Sequence, residues 1–233
     1  MPSRFLWRIL LGIIIIATAG GCSSVLGTTA DGSNSGARND GPTFSLMVGD
    51  SELAGSSGRQ LSEAYKSGIS LLELLKSSGV ATFAADGLSI LSVNKVFLSP
   101  EWVWEIHMDG KKITDWNSNV DRDDSIIIAA KPAAGGAELQ PVLLSINGGS
   151  EQPELTHSYV QPYTEDLTVR SMLKGSEMVQ LAEDNRTVTT VMDYAPLSNE
   201  AWKLKVNGKP LLDSGIDMKL RPQDTLEILL ALR

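Results

Sequence analysis

Hydrophobic and polar residues follow the same order twice along this chain, at a spacing of 98 residues. The first aligned pair, residues 44–48 and residues 142–146, has the apolar composition of a β-strand in both copies. Residues 90–93 and residues 188–191 are a second pair of stretches rich in apolar and β-branched side chains. An internal repeat of this length predicts two copies of one small domain.

Between these strands, each copy has one amphipathic segment that predicts a short helix. Residues 69–76 align with residues 167–174, and their apolar positions lie three and four residues apart, on one helix face. Ser70 and Thr168 each precede an apolar run and suit the N-cap, and Ser70 with Glu73 has the form of a capping box. We therefore expect one helix in each copy.

A strand of alternating apolar and polar residues then leads to a tight turn. Residues 104–110 end in Asp-Gly and residues 202–208 end in Asn-Gly, and both pairs are strong signals of a two-residue hairpin. Beyond the hairpin, Asp124 aligns with Asp224, so two residues are inserted in the second loop. Each copy then ends in a last strand.

The repeat sets the domain organisation. We expect an α+β fold in which residues 42–130 and residues 140–233 are two units, each a mixed sheet with one helix, joined by a linker at residues 131–139. The Pro and Gly content of the linker favours partly independent units. The sequence leaves open whether the two units pack together.

The N-terminal segment has the layout of an export signal. Residues 1–21 carry Arg4 and Arg8 near their start, continue as an apolar run too short to span a bilayer, and end in small residues. Ala19-Gly-Gly-Cys22 resembles a lipobox, in which the cysteine thiol receives a diacylglycerol before cleavage, although the family usually places Leu or Val where this chain has Ala19. Residues 22–41 are polar and rich in Gly and Ser, which predicts a flexible tether.

The number of cysteines favours lipidation of Cys22. Cys22 is the only cysteine of the chain, so its thiol has no partner for an internal disulfide. We expect a lipid-anchored protein on the extracytoplasmic face of a cell membrane, either the plasma membrane or the outer membrane. Ordinary signal cleavage near residue 22 and an uncleaved N-terminal anchor are the alternatives.

Charge and candidate chemistry narrow the function further. The formal net charge of −8 disfavours nucleic acid as a partner. The histidines, His107 and His157, lie in different units, and Ser171 with Lys174 is a weak match to a Ser-x-x-Lys nucleophile motif. Residues 121–124 are acidic but lack the register of a calcium loop. We expect no catalytic set, no metal site and no cofactor.

Each copy carries an aromatic strand, an Asn-Gly or Asp-Gly turn and a late Asp before the last strand. In this order the chain resembles the β-grasp domain found at the C-terminus of transcobalamin and intrinsic factor, and in bacterial surface proteins. The first copy departs from the pattern, because Asp109 stands where the family has Asn. The resemblance implies tandem β-grasp domains and the binding of a soluble ligand.

Trp116 and Trp102 are the candidate ligand-contact residues. Trp116 lies in a polar loop after the first hairpin, and its counterpart at a spacing of 98 is Ser214. Exposed aromatic side chains often mark contacts. Trp104 and Trp202 alternate with apolar neighbours, and we expect them in the two cores.

Two functions therefore remain open. In the first, the chain is a ligand-binding or surface-recognition module for a small molecule such as a corrinoid, or for a glycan. In the second, it is a structural or assembly protein of the cell envelope that binds another protein through its sheet edges. A concave pocket near Trp116 would favour the first function, and a flat apolar patch or a bare strand edge the second.

Overall fold

The computed structural model describes residues 41–53, 55–133 and 139–233, which belong to one compact body. The proposed signal segment, Cys22, most of the predicted tether and residues 134–138 of the linker lie outside the described residues. The described chain is rich in strands and has few helices, so the α+β class predicted from the sequence is confirmed.

The described residues of the first unit form eight strands and two α-helices. Its helices are α1 (Ser57–Ala64) and α2 (Leu71–Ser78). The strands are β1 (Thr43–Val48), β2 (Ser51–Glu52), β3 (Ala81–Phe83), β4 (Ile90–Val93), β5 (Val96–Leu98), β6 (Trp102–Met108), β7 (Lys111–Lys112) and β8 (Ser125–Pro132).

Residues 139–233, the described part of the second unit, form seven strands, one α-helix and two short 3₁₀ turns. Its helix is α3 (Val169–Gly175), and the 3₁₀ turns are Pro153–Leu155 and Asp213–Asp217. The strands are β9 (Pro141–Asn147), β10 (His157–Pro162), β11 (Val179–Leu181), β12 (Val188–Val191), β13 (Glu200–Val206), β14 (Lys209–Pro210) and β15 (Thr225–Leu232).

Both units arrange five strands in the same order around a parallel central pair. In the first unit the order is β2-β1-β8-β6-β7, and β1 runs parallel to β8. In the second it is β10-β9-β15-β13-β14, and β9 runs parallel to β15. The apolar faces of α2 and α3 belong to separate hydrophobic cores, one in each unit.

The predicted N-caps are confirmed. The Ser70 hydroxyl accepts a hydrogen bond from the Glu73 N–H at 3.3 Å, at the start of α2. At the start of α3, Thr168 and Ser171 form a reciprocal capping box. These caps satisfy N–H groups that the first helical turn leaves without partners.

Helix α1 contradicts the prediction of one helix in each unit. Leu61 and Ala64 are the apolar side chains of this eight-residue segment, so the segment is polar overall and does not stand out as an apolar run. Leu61 is fully buried in the first core and holds α1 against β1 and α2. A segment this short, with one buried leucine, has too few apolar residues to be recognised as a helix from the sequence.

The two units share one sheet. Strand β10 of the second unit pairs in parallel with β5 of the first, which joins β3, β4 and β5 to the second unit's five strands. The rings of Phe97 and Tyr159 stack across this junction with centroids 5.4 Å apart. Val160, a residue of β10, is fully buried in the first unit's core. The two units therefore pack together through backbone and side-chain contacts.

Candidate functional site

A groove of about 500 Å³ lies in the first unit, between the β3–β4 hairpin and strand β6. Trp102, Trp104 and Trp116 all line it. Trp102 and Trp104 are two residues apart on β6 and so lie on the same face of the strand. The candidate contact residues Trp102 and Trp116, which are distant in sequence, are thus brought into one concave surface.

Helix α2 holds the loop that carries Trp116. The Leu72 N–H donates to the Trp116 carbonyl oxygen at 3.1 Å, so the free N–H groups of the first helical turn position this loop. The Trp116 ring meets the Phe83 ring edge-on, with centroids 6.0 Å apart. Trp116 is half-buried, with one side packed on the first core and the other lining the groove.

The other tryptophans differ in burial from what the sequence predicts. Trp102 is only 5% exposed, although it lines the groove, whereas Trp104 is half-buried rather than fully in the core. Trp202 is buried in the second core, as expected. The indole N–H groups of Trp102 and Trp104 are buried and have no acceptor among the described residues. Such unpaired donors cost free energy and are uncommon in folded proteins.

Exposed aliphatic side chains complete the groove, and the sequence did not identify them. Leu88, Leu91 and Val103 are 50%, 52% and 47% exposed, and all three line the groove. Val103 occupies an outward position of β6, where the other outward residues are Glu105 and His107. An apolar residue at such a position is the sequence signal that could have revealed this exposed surface. The described part of the first unit therefore exposes its large apolar groups in one place.

A charged pair forms the polar part of the groove. Glu105 and Lys112 both line it and form a salt bridge. His107 Nε2 lies 2.7 Å from the other carboxylate oxygen of Glu105. Hydrogen bonds from Lys112, and to a lesser extent from His107, lower the pKa of the Glu105 carboxyl. The carboxylate is therefore held in its charged form, and its charge is balanced locally by Lys112.

The second unit has an equivalent but smaller groove of about 230 Å³, beside Trp202. Hydrogen bonds in the two units also show that the counterpart of Trp116 is not Ser214, which the spacing of 98 predicted. The Leu71 N–H donates to the Ser118 carbonyl, and the Val169 N–H donates to that of Met218, so the loop residues already correspond at a spacing of 100. Ile216, which lines the second groove, therefore occupies the place of Trp116.

The other candidate chemical groups have structural partners. The Ser171 hydroxyl donates to the Thr168 carbonyl oxygen at 2.9 Å, inside the helix cap. One Asp124 carboxylate oxygen accepts from the Asp121 N–H at 2.8 Å and closes a turn before β8. Residues 41–53, 55–133 and 139–233 contain no group of three or more His, Cys, Asp or Glu side chains placed to hold a metal ion. In the same ranges, no helix is long and apolar enough to cross a membrane.

Comparisons with known proteins add little to this geometry. No family model matches the chain, and no curated protein matches it. One similar solved structure is a 1.30 Å crystal structure from Ruminococcus gnavus ATCC 29149 of a protein named as a proposed metal binding protein. The overlap has 15% sequence identity and a TM-score of 0.32, and covers 40% of this chain and 98% of that chain. A likeness of this degree carries no argument about function.

Proposed function

We propose that this chain is a lipid-anchored, extracytoplasmic binding protein that holds a ligand in the groove of its first unit. The observation that carries the proposal is the meeting of Trp102, Trp104 and Trp116 in one concave wall that also exposes aliphatic side chains. Ligand sites are commonly concave and mostly apolar, with a few polar groups that fix orientation. We assign binding, and no chemical reaction, to this site.

We further propose that each unit is a β-grasp domain. The shared five-strand order, the parallel central pair and a capped helix on one face support this assignment. The sequence resemblance to the transcobalamin C-terminal domain then implies a ligand class, either a small molecule such as a corrinoid or a glycan. Two related grooves on one chain would raise the effective affinity for a repetitive target.

Anchoring through Cys22 is tested by replacing the thiol. In cells fed labelled palmitate, the Cys22→Ser variant should lose the label and keep its N-terminal segment uncleaved, because a serine hydroxyl does not accept the diacylglycerol that precedes cleavage. Ser23→Ala, one residue further on, is the matched control and should be both labelled and cleaved. Cleavage of unlabelled Cys22→Ser would instead indicate ordinary signal cleavage, and a natural chain that is neither labelled nor cleaved would indicate an N-terminal anchor.

Ligand binding in the groove is tested by following tryptophan fluorescence and thermal unfolding of the full chain in detergent. Corrinoids, flavins, haem, oligosaccharides and peptidoglycan fragments form the panel. A ligand at 100 times its Kd should stabilise the folded state by about 2.7 kcal/mol, which corresponds to a rise in Tm of roughly 5–10 °C. Trp116→Ala should abolish that rise, because it removes one wall of the groove.

The matched control for this test is Leu197→Ala. Leu197 is 61% exposed in the second unit and lies outside the groove, so its loss should leave binding unchanged. A panel in which no compound raises Tm, or a ligand that binds Trp116→Ala as well as the natural chain, would contradict the proposed site.

A further inference from the structure

The outer edge of strand β6 is open where it borders the groove. Strand β7 pairs with β6 only at His107 and Met108 and ends at Lys112. It is the last strand of this sheet, so no strand of the described chain covers the edge of β6 between Trp102 and Glu105. The Trp102 N–H on this side donates to the Ser99 carbonyl at 3.0 Å, so the groove lies beside a strand edge that is unpaired at Trp104.

Hydrogen bonds on both sides of β6 show which backbone groups face this edge. The Asp109 N–H donates to the Ser125 carbonyl at 3.0 Å, toward β8, and the Ile106 carbonyl accepts from the Ile113 N–H at 2.8 Å, on the opposite side. Residues of a strand alternate between its two neighbours. The backbone N–H and C=O of Trp104 consequently point away from β8 and toward the open edge.

The second unit provides an internal comparison, because it has the same fold and the same open edge beside Trp202. At the three positions where the first unit exposes Leu88, Leu91 and Val103, the second has Arg186, Thr189 and Ala201, each 98 residues later. The fold therefore does not require large exposed apolar side chains at these positions. Soluble proteins usually avoid exposed apolar groups beside an open edge, and Arg186 lines the second groove where Leu88 lines the first.

We propose that an extended polypeptide segment of a partner protein adds to the open edge of β6 as a further strand. This inference rests on the proposed binding function of the groove and takes a polypeptide as its occupant, in place of the small molecule or glycan that the resemblance implies. The backbone of the segment bonds to the N–H and C=O of Trp104, and alternate side chains lie against the tryptophan wall. At a rise of about 3.3 Å per residue, the open stretch of β6 accommodates three or four residues.

The shape of the site favours a peptide segment over a second copy of this chain. The open edge lies inside a concave surface, and two copies that met edge to edge would bring two concave surfaces together and leave their apolar walls unfilled. A single extended segment projects far enough to fill the groove. A purely apolar small molecule would leave the Trp104 N–H and C=O without partners.

The first unit already accepts one strand in this manner. At β5 the Lys95 carbonyl accepts from the Ser158 N–H at 3.0 Å, and the Ser99 N–H donates to the Val160 carbonyl at 3.0 Å. The Val160 side chain is fully buried in the first unit's core. Backbone pairing combined with the insertion of an apolar side chain is therefore an interaction that this domain makes within its own chain.

The test uses the full chain in detergent and the blocked peptide Ac-Lys-Val-Thr-Val-Thr-Val-Lys-NH2. We expect saturable binding, followed by tryptophan fluorescence. Binding should weaken by about tenfold or more when the amide nitrogens of the three valines are methylated, because methylation keeps the side chains but removes the hydrogen-bond donors on one side of the strand. Equal binding of the two peptides would overturn strand addition and leave groove binding intact.

Protein variants locate the peptide. The triple change Leu88→Arg, Leu91→Thr and Val103→Ala installs the residues of the second unit, which the same fold already tolerates, and should reduce affinity by tenfold or more. Leu197→Ala, at an exposed position of the second unit outside both grooves, should not. Unchanged affinity in the triple variant would overturn the proposal. The proposal would also be overturned if the peptide fails to bind while a panel compound still binds in a manner that depends on Trp116. That result would leave the proposed function intact.

Discussion

Asp109 and Asn207 occupy the same turn position in the two units but differ in what they can donate. The Asn207 amide donates to the Asp224 carboxylate at 2.7 Å and accepts from the Thr225 N–H at 2.8 Å. Asp109 accepts from the corresponding Ser125 N–H at 2.9 Å, but a carboxylate has no hydrogen to donate to Asp124. Burial, and then the charge of Asp109, raise the pKa of the Asp124 carboxyl above its ordinary value of 3.8.

We predict that Asp109→Asn stabilises the protein at neutral pH by about 1 kcal/mol, the usual net value of one hydrogen bond. A carboxyl whose folded-state pKa is raised favours folding fully at pH values below its unfolded pKa, and this contribution is lost as the pH rises through the folded pKa. The advantage of the variant should therefore be absent near pH 3, develop as the pH rises through the folded pKa of Asp124 above 3.8, and be complete at pH 7.

The measurement is Tm across this pH range, with Asn207→Asp as the reciprocal control. That variant places the same pair of carboxylates in the second unit and should be less stable than the natural chain at pH 7. If Asp109→Asn unfolds at the same temperature as the natural chain at every pH, the missing hydrogen bond has no energetic role.

At the scale of secondary structure elements, local signals succeeded where they were strong. Ser70 and Thr168 placed the starts of α2 and α3, because an N-cap is a contact between residues three apart. The segments after β1 and β9 carry weaker patterns, and there the two units diverge into helix α1 and strand β10. Strand β10 forms between β9 and β5, so its backbone partners come from both units.

The neighbouring elements also determine which part of β6 remains open for pairing. The strand itself was predictable from its alternating residues, and Trp104 was recognised as an inward position. Strand β7 is short because the chain turns away after Lys112 toward the start of α2. The edge of β6 is left open for this reason. The groove therefore arises from the contact between the Trp116 loop and α2, which no single-strand pattern contains.

At the scale of the whole molecule, the shared sheet makes the first core depend on a residue of the second unit. Val160 belongs to β10 yet is buried among residues of the first core. We predict that Val160→Ala lowers the free energy of unfolding by about 2 kcal/mol through the cavity it leaves. Amide hydrogen exchange should report the largest loss of protection in β5 and β6, although the substitution lies in the other unit.

Val142→Ala is the matched control for this prediction. Val142 is equally buried but belongs to the second core, so its loss of protection should centre on β9 and β15. If both variants expose the same amides to the same extent, the molecule opens as one cooperative body. If Val160→Ala leaves β5 and β6 protected, the two units are not energetically coupled through β10.

The sequence by itself determined the features that depend on neighbouring residues: the repeated order of elements, the helix caps, the hairpin turns and the α+β class. The export signal and Cys22 are predictions from local composition that the described residues do not reach. Only the tertiary structure decided that Trp102, Trp104 and Trp116 meet in one groove, that β10 joins the two units, and that β6 keeps an open edge. These features depend on contacts between residues distant in the chain, whose energies local patterns do not encode.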